Sequence, residues 1–205
     1  PLADYEPDIL YQKQVEAYYA DPGLNKPVGR FGNAADKWGL ANWMAAAGAD
    51  EADADVGFYH IGGVRLDSIP AGGVSAAKVY GLEPFGTLVA RMEMTPAQMR
   101  RMIVSKYNDP VNAKEAHRID LISTTPYVIV TDAADNALDV QFPKLREGRK
   151  YKVAVSDYIY RNYKDMEYTG GEITVEKVAD ILLEELRDDS PLKIDNTPRQ
   201  RVVRK

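Results

Sequence analysis

Imidazole and thiol chemistry has few candidates in this sequence. The only histidines are His60 and His117, and cysteine is absent. No DxH or HExxH pattern and no paired-histidine spacing surrounds either histidine. A two-metal phosphoesterase site needs several His and Asp ligands, because two ions must hold both the attacking and the leaving oxygens. The sequence therefore predicts no metal site in this chain, and no metal-dependent cleavage of phosphate by the chain itself.

Other familiar catalytic patterns are missing as well. No GxSxG elbow appears and neither histidine has an obvious serine partner, so serine-based acyl transfer is not predicted. The glycine pairs Gly62-Gly63 and Gly72-Gly73 match neither GxGxxG nor a phosphate-binding loop. Carboxylates are plentiful. They leave a carboxylate-pair glycosidase open as the least favoured alternative, since carboxylates in loops and on helix faces are usually only solvated.

Aromatic residues are a more informative group. The sequence holds 13 tyrosines, and Tyr158, Tyr160 and Tyr163 stand beside charged residues. A tyrosine offers a flat face on which a base or a sugar can stack, although ordinary packing is the commoner role for any single tyrosine. The pattern is compatible with a small planar ligand.

Length and charge limit the class of protein. The chain has 205 residues, a net charge of −5 and a pI near 5.2. Proteins that bind nucleic-acid backbones concentrate Lys and Arg, so no nucleic-acid partner is expected. No apolar stretch approaches the ~20 residues of a membrane span. The opening Pro1 to Asp4 does not read as a signal peptide, so we expect any export signal to have been removed or to precede an upstream domain.

The elements that must position such residues begin with two helices. Apolar positions recur at helical spacing over Ile9–Tyr19 and Trp38–Gly48, and the acidic stretch 50–55 is interpreted as a solvated loop. Val56–Ile61 forms an apolar strand that runs into Gly62-Gly63. A bare glycine backbone permits close approach to a ligand, so a site is expected at this strand end.

The rest of the sequence alternates helices and short strands. Ser75–Leu82 predicts a short helix and Thr87–Met94 a strand, and Thr95 with Gln98 forms a capping box that starts the next helix. Thr174 is expected to cap a last helix. Hairpin turns at 133–136 and 145–150 predict an antiparallel meander of three strands, and a closing edge strand is expected near the end of the sequence. The meander strands are Tyr127–Thr131, Ala137–Phe142 and Tyr151–Ser156, and the edge strand is Arg201–Val203. The fold class is therefore α+β, with mixed, largely antiparallel sheets flanked by helices.

A series of motifs between residues 55 and 94 resembles a known family. A strand runs into Gly62-Gly63-Val64-Arg65, an Ile69-Pro70-Ala71-Gly72 segment and a short helix follow, and Pro84-Phe85-Gly86 precedes the next strand and capped helix. This order and spacing are similar to those of the C-terminal domain of 5'-nucleotidases and UDP-sugar hydrolases.

The tyrosine-led strand that ends in Ser156-Asp157-Tyr158 resembles the same family. The resemblance covers the chain from Val28 to about Val203. It implies a 5'-nucleotidase C-terminal-like substrate-binding domain in residues 28–205. The helical segment 1–27 looks like the family's interdomain linker.

The resemblance implies a base-binding clamp. In the family, the aromatic of Pro-Phe-Gly and the aromatic after the tyrosine-led strand sandwich the nucleobase, and Phe85 and Tyr158 hold those positions. Stacking of this kind contributes roughly 1–3 kcal/mol per base and tolerates many bases. The alternative for Phe85 is an ordinary place in the core.

The resemblance also implies residues for the rest of the substrate. Arg65 matches the family arginine that helps to hold the substrate, with a surface ion pair to Asp67 as the alternative. His60 stands where the family has Asn and can donate to a ribose hydroxyl, unless it is a satisfied buried histidine. Arg30 matches an arginine upstream in the family.

Two departures from the family pattern bear on the ligand. Ile61 replaces the first glycine of the family's triplet, and residues 161–165 replace its Gly-Gly-Asp. That aspartate meets the sugar hydroxyls in the family. Asp165 lies one position away and can substitute only if the loop is rearranged. The loss of two glycines changes the backbone shapes open to the loop, so the ligand can differ from a standard nucleoside.

The function implied is recognition of a nucleoside or nucleotide for a 5'-nucleotidase-type phosphohydrolase. In the family a metallophosphoesterase domain carries two metal ions. We therefore expect the divalent metal pair in a catalytic domain, in cis or in trans, and no cofactor in this chain, which alone should be inactive. The family habit implies a periplasmic or otherwise extracytoplasmic location. The alternative is a repurposed small-ligand or protein-binding module with the same fold and no role in hydrolysis, which the altered loop at 161–165 favours.

Overall fold

The computed structural model describes residues 8–114 and 118–205, so His117 lies outside the described residues. The helices are α1 (Ile9–Tyr19), α2 (Pro22–Asn25), α3 (Lys37–Glu51), α4 (Ala76–Leu82), α5 (Pro96–Asn108), α6 (Asp157–Asn162) and α7 (Val178–Asp188). The strands are β1 (Pro27–Phe31), β2 (Ala35–Asp36), β3 (Val56–His60), β4 (Ser68–Ile69), β5 (Gly72–Ser75), β6 (Leu88–Met94), β7 (Leu121–Ser123), β8 (Tyr127–Thr131), β9 (Ala137–Gln141), β10 (Tyr151–Ser156), β11 (Thr169–Lys177) and β12 (Gln200–Arg204).

A five-stranded sheet in the order β11-β6-β10-β3-β7 is the centre of the fold. In it β10 and β3 are parallel, and the other neighbouring strands are antiparallel. A second sheet has the order β12-β8-β9, and two small antiparallel ladders join β1 to β5 and β2 to β4. The α+β class with mixed, largely antiparallel sheets flanked by helices is confirmed.

Strands β3, β7 and β10 of the five-stranded sheet are buried on both faces. Successive side chains of a strand point to opposite faces, so each strand contributes to two cores. On one face Tyr59 and Ala154 pack into a core with α3, α4 and α7. On the other face Phe58, Val153 and Val155 pack into a core with α5 and the second sheet. Burial on both faces holds the strand ends, and therefore the residues that follow them, in fixed positions.

The predicted helix starts are confirmed where side-chain caps are strong. Thr95 Oγ1 accepts a hydrogen bond from the Gln98 N–H at 3.3 Å, and Gln98 Oε1 accepts one from the Thr95 N–H at 2.8 Å. Ser75 caps α4 by accepting from the Lys78 N–H. These bonds satisfy amides that the first helical turn leaves unpaired.

The predicted cap at Thr174 is wrong. Thr174 lies inside β11, and α7 begins only at Val178. Pairing with the neighbouring strand decides this: Ile173 stands opposite Ala90 of β6, and Lys177 opposite Leu88. The backbone hydrogen bonds of the ladder outweigh the local preference of a threonine for a helix start.

The predicted meander is wrong in its third strand, whereas the hairpin β8–β9 and the edge strand β12 are confirmed. Residues 145–150 cross to the other sheet, where β10 lies between β3 and β6. Val153, Ala154 and Val155 are all buried, so β10 needs neighbours on both edges and packing on both faces.

The acidic stretch 50–55 is also only partly a loop. Helix α3 continues through Asp50 to Glu51, and Ala52 is buried. Ala47 and Ala49 pack in the core and hold the last turn of the helix against the sheet. Helix α1 covers the predicted first helix, while the domain boundary at residues 27 and 28 stays a prediction.

Candidate functional site

A cavity of about 540 Å³ lies at one edge of the five-stranded sheet. Strands β3 and β10 are parallel and both end there, at His60 and Ser156. Strands β6 and β7 run the opposite way and begin there. Residues that follow β3 and β10 or precede β6 and β7 therefore meet at this edge. Four residues predicted from the sequence line the cavity: His60, Arg65, Phe85 and Tyr158.

Two predicted residues lie elsewhere. Arg30 is an exposed residue of β1, and its backbone N–H donates to Ser190 Oγ at 2.8 Å. The Asp165 carboxylate accepts a hydrogen bond from Ser105 Oγ at 2.7 Å and faces a separate groove beside α5. Helix α6 ends at Asn162, Tyr163 still lines the cavity, and the chain leaves the cavity before Asp165 is reached. The structure therefore does not bring Arg30 or Asp165 to the cavity.

Phe85 is a surface residue, not a core phenylalanine: 61% of it is exposed. Its loop is held from inside by the buried Glu83. The carboxylate of Glu83 accepts hydrogen bonds from the Phe85 N–H at 3.2 Å, the Thr87 N–H at 3.3 Å and the Thr87 hydroxyl at 2.6 Å. Gly86 takes a φ of +64°, which glycine adopts without strain. The ring is thus presented to solvent by a rigid turn.

Tyr158 presents a second aromatic face. It lies in the first turn of α6, which Ser156 caps by accepting from the Ile159 N–H at 3.3 Å. Its ring stacks on His60, with centroids 4.5 Å apart and planes 25° from parallel. Tyr158 remains 48% exposed and lines the cavity, so a ligand there can reach its ring. The Tyr163 ring lies nearly perpendicular to it, with centroids 6.3 Å apart and planes at 82°.

His60 serves as a neutral support for that ring. Burial lowers the pKa of His60 to about 4, and Asp120 opposes the shift only in part. The imidazole is therefore uncharged at neutral pH and stacks without bringing a cation under Tyr158. Gly63 packs against the imidazole so closely that a Cβ at this position would lie 2.6 Å from His60 Cε1. Any larger residue at position 63 would require the His60 ring to shift.

Arg65 brings a cation to the cavity next to Phe85. Its backbone N–H donates to Leu82 O at 3.0 Å, and its guanidinium carbon lies 5.8 Å from the centre of the Phe85 ring. Asp67 pairs with Lys37 at 3.1 Å, so the alternative of an Arg65–Asp67 ion pair is not found. In the described part of the chain Arg65 has no carboxylate partner, and its forked donors can meet oxygens of a ligand.

Three linked residues form another wall: Tyr163, which the sequence analysis names as a possible stacking tyrosine, and Asp120 and Lys106, which sequence reasoning missed. The hydroxyl of Tyr163 donates to Asp120 Oδ2, and Lys106 Nζ lies 3.8 Å from the same oxygen and 5.0 Å from the centre of the Tyr163 ring. Burial and the neighbouring Asp120 raise the pKa of Tyr163 well above its usual range. Only 12% of the Asp120 side chain is exposed.

A sequence signal existed for two of these residues. Asp120 immediately precedes β7, and Tyr163 stands in the loop where the resembling family has glycines. Lys106 comes from the last turn of α5 and gave no signal. Asn112, which also lines the cavity, lies in a short turn that no pattern marked.

The sequence matches the family described as "5'-nucleotidase, C-terminal domain" over residues 24–169. The chain belongs to this family. No curated protein matches its sequence significantly. Among solved structures, a 5'-nucleotidase precursor from Thermus thermophilus superposes with a TM-score of 0.74 at 17% identity, covering 96% of this chain and 44% of that one.

Two further structures share the fold. The NAD nucleotidase NadN of Haemophilus influenzae has a TM-score of 0.70 at 14% identity, and covers 98% of this chain and 42% of that one. The sulfate thiohydrolase SoxB of Thermus thermophilus has a TM-score of 0.65 at 15% identity, and covers 98% of this chain and 40% of that one. At such identities the likeness concerns the fold. This chain spans less than half the length of each of the three.

Membrane spans and metal clusters are both absent from the part of the chain that the structure describes. Among residues 8–114 and 118–205, no helix is long and apolar enough to cross a membrane. Within the same residues, no group of three or more His, Asp and Glu side chains is placed to hold a metal ion.

Proposed function

We propose that this chain recognises the nucleoside part of a nucleotide for a 5'-nucleotidase-type phosphohydrolase. The observation that supports this most directly is the pair of exposed aromatic rings, Phe85 and Tyr158, on one cavity beside a cation. Exposed rings cost free energy in water unless a ligand covers them. A planar base that enters the cavity gains roughly 1–3 kcal/mol from each stacking contact.

The charged residues suit the sugar and phosphate. Arg65 offers forked N–H donors to hydroxyl or phosphate oxygens, and Asp120 offers carboxylate oxygens to hydroxyl groups. In this proposal Asp120 takes the part that the resemblance gave to Asp165. The cavity volume of about 540 Å³ falls in the range of small-molecule sites, roughly 300–1,000 Å³.

The phosphate is cleaved elsewhere in this proposal. A metallophosphoesterase domain, in cis or in trans, supplies the divalent metal pair and the activated water, and this chain alone is inactive. Binding energy from the base and sugar orients the phosphate for that reaction. The location is periplasmic or otherwise extracytoplasmic, as is the habit of the family.

Calorimetric titration with adenosine, AMP, UMP and a UDP-sugar tests the proposal. Saturable binding should weaken about tenfold in Phe85→Ala and in Tyr158→Ala, since each removes one stacking face. Tyr80→Ala is the matched control, because Tyr80 is also exposed but borders a different groove. Absence of binding by a folded sample, or equal losses in all three variants, would contradict the proposal.

One observation favours the alternative of a repurposed module. Tyr163 occupies the loop where the family has glycines, and its bond to Asp120 closes one wall of the cavity. A ligand smaller than a nucleoside would then fill the space. Tyr163→Gly distinguishes the two: it should improve nucleoside binding if Tyr163 obstructs a nucleoside, and leave a nucleoside site unimproved if Tyr163 is part of it.

A further inference from the structure

Asn112 is a buried polar residue of the cavity wall with an unused acceptor. It is only 1% exposed, and its Nδ2 donates to Arg118 O at 3.1 Å. That bond fixes the amide orientation, because only the nitrogen side can donate to a carbonyl. Oδ1 is buried and has no hydrogen-bond partner in the described part of the chain. A buried acceptor left unpaired costs about 1–3 kcal/mol.

The turn that carries Asn112 is held in place independently of any ligand. Asp109 Oδ1 accepts from the Val111 N–H at 2.7 Å, and Asp109 O accepts from the Ala113 N–H at 2.9 Å. The main-chain N–H of Asn112 also bonds to the Asp109 side chain. Asn112 Oδ1 is therefore prepositioned, and a ligand that reaches it incurs little ordering cost.

Val111 beside it is apolar, lines the same cavity and is 69% exposed. A neutral acceptor next to an apolar surface suits the edge of a nucleobase. Ribose hydroxyls have a better acceptor in the carboxylate of Asp120, since hydrogen bonds to charged groups are the stronger ones. The two acceptors of the cavity wall are thus matched to different parts of one ligand.

We infer that Asn112 Oδ1 accepts a hydrogen bond from an N–H group on the base edge, so that the cavity selects nucleosides whose base carries a donor there. This rests on the proposed function, because it assigns a base to the cavity. A base with an N–H donor gives Oδ1 the hydrogen bond that it lacks in the free protein, whereas a base without one leaves it unpaired. Selection by such a bond is sharper than selection by shape alone.

Adenosine and purine riboside test the inference, because purine riboside differs only in lacking the 6-amino group and has no N–H on its base. The unmodified chain should bind adenosine about tenfold more tightly, which corresponds to one unpaired buried acceptor. In Asn112→Leu the ratio of the two dissociation constants should fall to about one. In Phe85→Ala both ligands should weaken and the ratio should persist, since stacking serves both bases.

The outcomes separate this inference from the function on which it rests. Equal binding of the two ligands by the unmodified chain overturns the inference and leaves the nucleoside site standing. A ratio that persists in a folded Asn112→Leu variant also overturns it, because another group then reads the donor. Failure of both ligands to bind overturns the proposed function and this inference with it. The comparison in the unmodified chain does not depend on the folding of any variant.

Discussion

The buried carboxylate of Glu83 gives the sharpest single-residue prediction. Glu83→Gln preserves the shape of the side chain but replaces one oxygen by an NH₂ group. The remaining oxygen can still accept from the Phe85 N–H and the Thr87 hydroxyl, which share Oε1, whereas the Thr87 N–H at 3.3 Å loses its acceptor. Two donors then face each other inside the protein, where Glu83 is 1% exposed.

The expected loss of stability follows from the hydrogen bond between the Thr87 N–H and Glu83 that the substitution removes. A hydrogen bond to a charged group contributes about 1.5–3 kcal/mol, so the free energy of unfolding should fall by about that amount. The Pro84-Phe85-Gly86 turn loosens at the same time, and nucleoside affinity should drop by up to about tenfold, the value of one stacking face. Urea denaturation at neutral pH and calorimetric titration with adenosine measure the two effects.

Glu93→Gln is the matched control. Its carboxylate is half exposed and pairs with Lys150 on the surface, and such pairs contribute about 0–1 kcal/mol. If Glu83→Gln is as stable as Glu93→Gln and binds adenosine as well, the turn is not held by Glu83. The Phe85 ring would then owe its position to other contacts.

Three further variants address the support beneath Tyr158 and the first turn of α5. Burial lowers the pKa of His60 from 6.5 to about 4. Between these two pH values the unfolded chain binds a proton at this histidine and the folded chain does not, so the free energy of unfolding decreases as pH falls through this window. Between pH 7 and pH 4.5 the free energy of unfolding should fall by about 2–3 kcal/mol more in the unmodified chain than in His60→Asn. An equal fall in the two proteins would refute this. Gly63→Ala should cost about 1–3 kcal/mol and weaken adenosine binding, because its Cβ would lie 2.6 Å from the His60 ring. Gly62→Ala has 3.9 Å of space to the same ring and should leave the free energy of unfolding nearly unchanged. Equal thermal denaturation curves for the two variants would show that the His60 ring moves aside. Thr95→Ala should cost about 1 kcal/mol through the lost cap and leave adenosine affinity unchanged, because Thr95 does not line the cavity. A change in affinity would show that the start of α5 influences the cavity.

Sequence patterns predicted correctly those features that depend on interactions between residues close together in the chain. The helix starts at Thr95 and Ser75 each depend on bonds within one turn, and both were predicted correctly. The cap at Thr174 failed because strand pairing with β6 is a long-range effect that no local pattern contains. The same is true of β10, whose place between β3 and β6 is decided by burial on both faces.

The residues of the candidate site also divide into those that the sequence predicted and those that it did not. The resemblance to the family's motifs gave His60, Arg65, Phe85 and Tyr158, which the sheet brings to one cavity. Asp165 was placed by counting along a loop, and the helical path of α6 moved it to another groove. Lys106 and Asn112 could not have been found, because their position depends on how α5 and its following turn pack and not on any spacing in the sequence.

The parallel pairing of β3 with β10 makes the site depend on a contact between distant parts of the chain. His60 and Tyr158 stack across nearly a hundred residues of sequence, and β10 must enter between β3 and β6 before they can meet. Contacts this distant along the chain form slowly, because a long loop must close first. A chain cut before Tyr151 would hold Phe85 and Arg65 but lack both the central strand and the second ring. Under the proposed function, nucleoside binding would report that β10 has joined the sheet, and a nucleoside present during refolding should favour the paired state.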